Sequence, residues 1–437
     1  MNRDFSKRTS PNFLHGLGFT LLGVPDLWMV VDCPRCLAEI YQQSGFTEHA
    51  WRQTLMRLDG KDRLFSTDLT AANPDDKRLD EILPRLEALA RGESRPGLIL
   101  VSESVPARII GVDLVDYADR IAEATGVTCR AVQTLTLNRD GYDAFEASLV
   151  ELASALPSPA ESTLDGSVAI IGHFHDRDEE DHRADCTELR TLVEGLGARV
   201  SSIWTSGEST HEMARALCAS LLVALPSGRR AARRIAERSG ATVLETRLPV
   251  GLEGTANWLR QLGDALDREG AAEQLIERNL RKTTPILAPL VARELVGRRV
   301  ALVAEASLAV ALADYLRELG VEVIGPMLRQ RRASSEHPKL GFDPSVGSLD
   351  ALLDEASANE PVDLVIGSTW EREAVANRGL PFVELGFPSF HHRPLLPTPV
   401  LGFTGALHFV ERLTMALADA RFQRGRPNAN HERGGNQ

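Results

Sequence analysis

The sequence predicts an α/β protein made of three successive open parallel-sheet units. Short apolar, β-branched runs alternate with helix-period stretches. Each run ends in a glycine-rich or polar break, the punctuation of parallel strand–helix–strand units. A chain of 437 residues is also too long for one core and holds roughly three units of about 150 residues.

In chain order, the strands are expected at "WMVVDC", "GLILVSES", "SVAIIGHF", "SLLVALP", "RVALVAEAS", "VEVIGP", "VDLVIGS" and "PFVEL". Amphipathic helices lie between them; "RRAARRIAERSG" and "SLAVALADYLRELG" each close on a glycine, the residue that tolerates the left-handed backbone at a helix end. The stretch 156–166, "LPSPAESTLDG", reads as a linker, and the long helical run "AAEQLIERNLRKTTPILAPLVARELVG" separates a second unit from a third that starts near Arg298. The expected domains are 1–160, 161–290 and 291–422, followed by a disordered tail, 423–437, with no large apolar residue after Phe422.

Composition narrows the function. A formal net charge of −12 gives no attraction to a phosphate backbone or an anionic bilayer, so neither nucleic acid nor membrane is expected as a partner. No apolar stretch reaches the roughly 18 to 20 residues of a bilayer crossing, and the N-terminus lacks a signal-peptide core, so the expected location is the cytoplasm. With 5 cysteines in a reducing compartment, a disulfide framework is not expected. Neither G-x-G-x-x-G nor G-x-x-x-x-G-K-[ST] occurs, so the chain carries no familiar cradle for a dinucleotide or for ATP, and no G-x-S-x-G elbow offers a hydrolase serine.

In open parallel sheets, ligands collect beyond the carboxyl ends of the strands. This places "DCPRC", "SESVPA", "GHFHDRDEEDH" and "GSTWE" in equivalent positions. Cys33-Pro34-Arg35-Cys36 is the most distinctive of these loops, because a strand-to-helix turn sets thiols beside free N–H groups that stabilise a thiolate. Taken alone it admits a redox dithiol, half of a metal or iron–sulfur ligand set, or small buried thiols without chemistry. In "GHFHDRDEEDH", His173 and His175 of an H-x-H can ligate a metal, but the dense carboxylates around them and His182 read as a solvated loop. Cys186 and Cys218 read as core residues, and His391 and His392 as packing or interface residues.

Three segments carry a family resemblance. "LPVGLEGTANWLRQLGDAL" (248–266) resembles the P-x-G-x-x-G-T-x-x-[WF]-L segment of the nitrogenase component 1 family, which includes nitrogenase subunits, cofactor-assembly scaffolds and dark-operative protochlorophyllide and chlorophyllide reductases. "VDLVIGSTWEREAVANRGLPFVELGFPSF" (362–390) with "LGFTGALHFVERLTMAL" (401–417) is similar to that family's C-terminal run, with Gly402, Phe403, Gly405 and Ala406 matching its last motif. "LILVSESVPARIIGVDLVDYA" (98–118) resembles the segment that often carries a cluster cysteine.

The resemblance implies three Rossmann-like, doubly wound parallel-sheet domains. It implies a β-type subunit that shares an interface iron–sulfur cluster, [4Fe-4S] or larger, with a paralogous α-type subunit in an α2β2-like complex. It also implies a separate P-loop, ATP-dependent iron protein as reductase. The expected ligands are Cys33, Cys36 and Asp32, since an aspartate replaces one thiolate in the protochlorophyllide-type relatives. The chain departs from the pattern in three places. Ser102-Glu103-Ser104-Val105 stands where a cysteine is usual, 65–79 lacks the middle cluster cysteine, and Leu225 stands where a catalytic-cofactor cysteine would follow "SLLVA". No catalytic residue is therefore expected in this chain. A metallocofactor-assembly scaffold and a stand-alone C-P-x-C dithiol oxidoreductase are the rival readings.

Overall fold

The structure is a computed structural model that describes residues 10–36, 57–58, 61–73, 75, 77–93, 95–133, 139–157, 164–174, 179–330, 341–342, 346–358, 360–392 and 394–424. His175 and most of the expected tail lie outside them.

The first sheet is built from β1 (Leu27–Asp32), β4 (Leu64–Ser66), β5 (Leu98–Glu103) and β6 (Cys129–Val132), all parallel, in the order β4-β1-β5-β6. A small antiparallel pair, β2 (Arg57–Leu58) and β3 (Lys61–Asp62), precedes β4. β1 and β5 are buried along their whole length, which is why they read as continuous apolar runs. Helices Lys77–Ala90 and Leu114–Thr125 cover one face, and Trp28, Val30, Ile99, Val101, Tyr117 and Ile121 form the core between.

The second sheet repeats the scheme with β7 (Leu164–Ile171), β8 (Arg199–Ile203), β9 (Ala219–Ala224) and β10 (Thr242–Glu245) in the order β10-β9-β7-β8. The third has β11 (Arg299–Ala304), β12 (Glu322–Leu328), β13 (Gly341–Phe342), β14 (Leu364–Gly367) and β15 (Phe382–Glu384), ordered β13-β12-β11-β14-β15 and parallel throughout. The three sheets fall inside residues 1–160, 161–290 and 291–422 respectively. By contacts, residues 10–248 and 257–275 form one compact unit, and 249–256 and 276–437 belong to another.

Within the first unit, Asp26 joins the first two sheets by accepting from Thr210 N at 2.8 Å and from Thr210 Oγ1 at 2.6 Å. In the other unit, Tyr315 on helix Ala306–Glu318 donates its hydroxyl to Ala406 O at 2.9 Å, tying the helix Gly402–Arg424 to the third sheet's layer. That last helix continues into the segment expected to be a tail.

Each sheet reverses direction once. In the first, the chain adds β4 on one side of β1 and then crosses to place β5 on the other. Loops leaving β1 and β5 therefore diverge to opposite faces, and the crevice between them lies at the carboxyl edge of the sheet. The C-P-R-C turn follows β1 at that crevice.

Candidate functional site

The floor of the crevice is a buried ion pair. Asp32, at the last position of β1, is fully buried and faces Arg78, also fully buried. Arg78 Nε donates to Asp32 Oδ1 at 2.8 Å and a terminal guanidinium nitrogen donates to Oδ2 at 2.7 Å, the fork-to-carboxylate geometry of a strong pair. Thr67 Oγ1 donates to the same Oδ1 at 2.5 Å. Both oxygens of Asp32, an expected metal ligand, accept from protein donors. A carboxylate so engaged organises a loop, because releasing it would strand a buried guanidinium. Arg78 carries no sequence signal of this role, since it reads as one more cation on an amphipathic helix.

The two cysteines part company. Cys33 follows Asp32 into the interior with no exposed surface, its Sγ 3.6 Å from Ser66 Oγ, while Ser66 Oγ donates to Cys33 O at 2.8 Å. Cys36, three residues later, is exposed. The loop after β5 starts beside the end of β1: Ser104 N donates to Asp32 O at 2.9 Å. Ser104, in the 102–105 stretch that lacks the cysteine usual in the resembling family, caps the short helix Val105–Ile109 by accepting from Ala107 N. Glu103 is buried at the end of β5, 3.5 Å from the half-exposed guanidinium of Arg108. Beyond it, Val105, Ile109, Ile110 and Val115 expose apolar surface, Ile109 to 74%.

An iron–sulfur cluster is held by thiolates, usually four. Of the thiols here, Cys36 is exposed as a donor to a group outside the chain would be, Cys33 is buried, and the 102–105 stretch supplies none. Among the described residues of the loop, two thiols are present, fewer than the four that usually hold a cluster.

The other cysteines and histidines fall into two groups. Cys129 and Cys218 are buried core residues, and burial pushes the Cys129 thiol up to about 12. The expectation of a solvated loop at the second carboxyl edge is corrected: His173 and His182 are buried, with Asp181 and Asp185 beside His182 in the same helix, and Cys186 is half-buried there. The acidic run misleads because part of it is a helix, Glu179–Gly195, whose inner face takes these residues in. His391 donates its backbone N–H to the buried Glu384 at 3.0 Å, a packing role.

Comparison with known proteins agrees with this architecture. The family model described as nitrogenase component 1 type oxidoreductase matches residues 16–418. The chain is 26% identical over 187 residues to the nitrogenase molybdenum-iron protein beta chain of Methanococcus maripaludis, covering 40% of this chain and 39% of that one. To the B subunit of the light-independent protochlorophyllide reductase of Heliobacterium modesticaldum it is 23% identical over 363 residues, covering 78% of this chain and 66% of the relative. To the N subunit of the light-independent protochlorophyllide reductase of Rhodopseudomonas palustris it is 29% identical, covering 78% of each. The chain thus spans about two fifths of the first of these relatives and just under two thirds of the second. A solved structure described as nitrogenase Cp1 at pH 6.5 superposes with a TM-score of 0.74 at 16% identity, over 98% of this chain and 97% of that one, and so shares the fold.

Proposed function

This chain belongs to the nitrogenase component 1 type oxidoreductase family, and from that premise we propose that it is a cluster-sharing subunit of a nitrogenase-like reductase. The observation that carries the reading is that the loops leaving β1 and β5, joined where Ser104 N donates to Asp32 O, carry an exposed Cys36 on one and exposed Val105, Ile109 and Ile110 on the other. Exposed apolar side chains and an exposed thiol on adjoining loops suit a docking face, because water is excluded there when a second chain covers it. The partner that fits is a paralogous chain, since the protochlorophyllide reductase relatives come as distinct N and B subunits. In this reading the chain offers Cys36, with the buried Cys33 three residues before it, to a cluster shared across that face.

When bound, an iron–sulfur cluster supplies one-electron transfer at low potential. The chain's own residues do the rest. Asp32, locked by Arg78 and Thr67, fixes where β1 ends and therefore where the thiols lie. The apolar rim excludes water from the face, and in a dry site neighbouring dipoles and charges act more strongly on a redox centre. The chain lacks a phosphate cradle, so ATP chemistry belongs to a separate P-loop iron protein.

A metallocofactor-assembly scaffold uses the same face without turnover. Anaerobic reconstitution with the paralogous subunit, a P-loop iron protein and ATP tests the proposal. ATP-dependent consumption of low-potential electrons by the full complex is the expected outcome. An iron-loaded complex that gives up a metallocofactor to an acceptor protein, with no ATP-dependent turnover, would replace the reductase with the scaffold.

A further inference from the structure

The second sheet carries a different constellation at its carboxyl edge. His173 stands two residues beyond β7, and His182 and Cys186 lie four residues apart on one face of helix Glu179–Gly195. One donor atom from each of these three residues lies within 4.8 Å of the others. The two imidazoles stack, with centroids 4.5 Å apart and planes 6° from parallel, and Cys186 Sγ is 3.9 Å from His182 Nε2. Both histidines are almost fully buried, at 2% and 3% exposure.

Thr205, just past β8, holds this group in place. His182 Nε2 lies 2.7 Å from Thr205 O. A carbonyl only accepts, so Nε2 carries the proton and Nδ1 keeps the lone pair, which is how metal-binding imidazoles are commonly fixed. Thr205 Oγ1 shares its one proton between His173 O at 2.6 Å and Trp204 O at 2.5 Å, which sets the second histidine's backbone beside the same residue. To do both, Thr205 adopts a left-handed backbone with φ of 64°, a costly conformation for a β-branched residue. Strain of this kind persists where the surroundings over-determine it, and it gathers at functional sites. The floor is equally constrained: Gly172, at φ 93°, packs so tightly against Gly228 that a Cβ would sit 2.1 Å from the Gly228 nitrogen.

We infer that His173, His182 and Cys186 form a binding site for a borderline-soft divalent cation of the zinc type, separate from the C-P-R-C loop. Two imidazoles and one thiolate are a nitrogen-and-sulfur set suited to Zn(II) or Co(II), and three protein ligands leave a fourth position for water or a ligand. A histidine and a second donor at i and i+4 on one helix face is a spacing that metal sites use. Tetrahedral zinc with Zn–N near 2.0 Å and Zn–S near 2.3 Å needs its donors roughly 3.3 to 3.7 Å apart. Uptake therefore needs the three donor atoms, within 4.8 Å of one another, to close on the ion. It also turns the His173 ring out of the stack, because a metal lies in the plane of each imidazole that binds it and parallel rings share no such point. His182 stays put, held by Thr205.

The test is Co(II) and Zn(II) binding to the full chain freed of metal. Co(II) is expected to bind at one equivalent with thiolate-to-cobalt charge-transfer absorption in the near ultraviolet, and Zn(II) to displace it and to shield Cys186 from alkylation. Cys186→Ser should abolish the charge-transfer band, and His173→Ala should weaken binding at least tenfold. Cys186→Ser is near-isosteric at a half-buried position and keeps the test readable if the histidine variant unfolds. The double variant Cys33→Ala/Cys36→Ala is expected to leave the spectrum intact, which keeps this site distinct from the proposed cluster loop. A charge-transfer band that survives Cys186→Ser, or wild-type binding no tighter than that of the variant, would overturn the assignment.

Discussion

Asp32 and Arg78 show how much of a residue's role rests on a partner that the sequence does not announce. An aspartate at a strand's carboxyl end, one position before a cysteine loop, has the chemistry and the location of a metal ligand. Its partner lies 46 positions away and is invisible without the fold. Because neither member of the pair reaches water, removing one leaves the other charged and stranded. Arg78→Ala is therefore expected to destabilise the chain by about 3 to 5 kcal/mol in denaturant unfolding. A loss under about 1 kcal/mol would show that the pair is not the brace described here. The thiols are graded in the same way. Reactivity follows thiolate fraction and access, so alkylation of the native chain at pH 8 should modify Cys36 first, while Cys33, Cys129 and Cys218 react only on unfolding. Cys129 adds a pH signature, its thiol raised from 9.0 to about 12 by burial. The stability this gives the fold is complete below pH 9.0 and is lost as the pH climbs toward 12.

Among elements, legibility in sequence largely follows position in the sheet. β1, β5, β7, β9, β11, β12 and β14 are interior strands, and each shows as an apolar run. β4, β6, β8, β10 and β13 carry no such signal and are edge strands; β15, also an edge strand, is the exception, legible as "PFVEL". An edge strand is short and faces solvent along one side; β10, "TVLE", has no fully buried residue. Helix Phe13–Gly23 has a pH dependence of its own. His15 sits at its N-terminal turn in a reciprocal cap with Asn12, its Nδ1 accepting from Asn12 N at 3.4 Å. Burial lowers its pKa from 6.5 to about 4. Neutral His15 thus supports the fold fully above pH 6.5, and about 3 kcal/mol is lost as the pH falls to 4, where the ring must charge. His15→Gln should flatten the stability profile across that window, and an unchanged profile would place the titration elsewhere. The same helix crosses Gly141–Ala155 so closely that a Cβ on Gly16 would lie 1.7 Å from Gly141 O. Gly16→Ala is expected to cost more than about 2 kcal/mol in thermal or denaturant unfolding, since backbone rather than a mobile side chain stands in the way.

For the molecule as a whole, alternation of strand and helix is enough to predict three parallel sheets, because that periodicity belongs to each segment by itself. The candidate site is legible only as a loop. Which thiol turns outward depends on the register of β1 against β4 and β5, and on a buried ion pair no local pattern announces. The His173, His182 and Cys186 group shows the same limit, since its members come together only when a helix folds back over a strand end. The central claim is that this chain lends Cys36 to an iron–sulfur cluster completed by a paralogous subunit. The most direct measurement is iron per complex after anaerobic co-purification with that subunit, for the wild type, Cys36→Ala and the core control Cys129→Ala. The account predicts iron in the wild type and the control, and a complex that still assembles but loses most of its iron in Cys36→Ala. Equal iron in all three would contradict it.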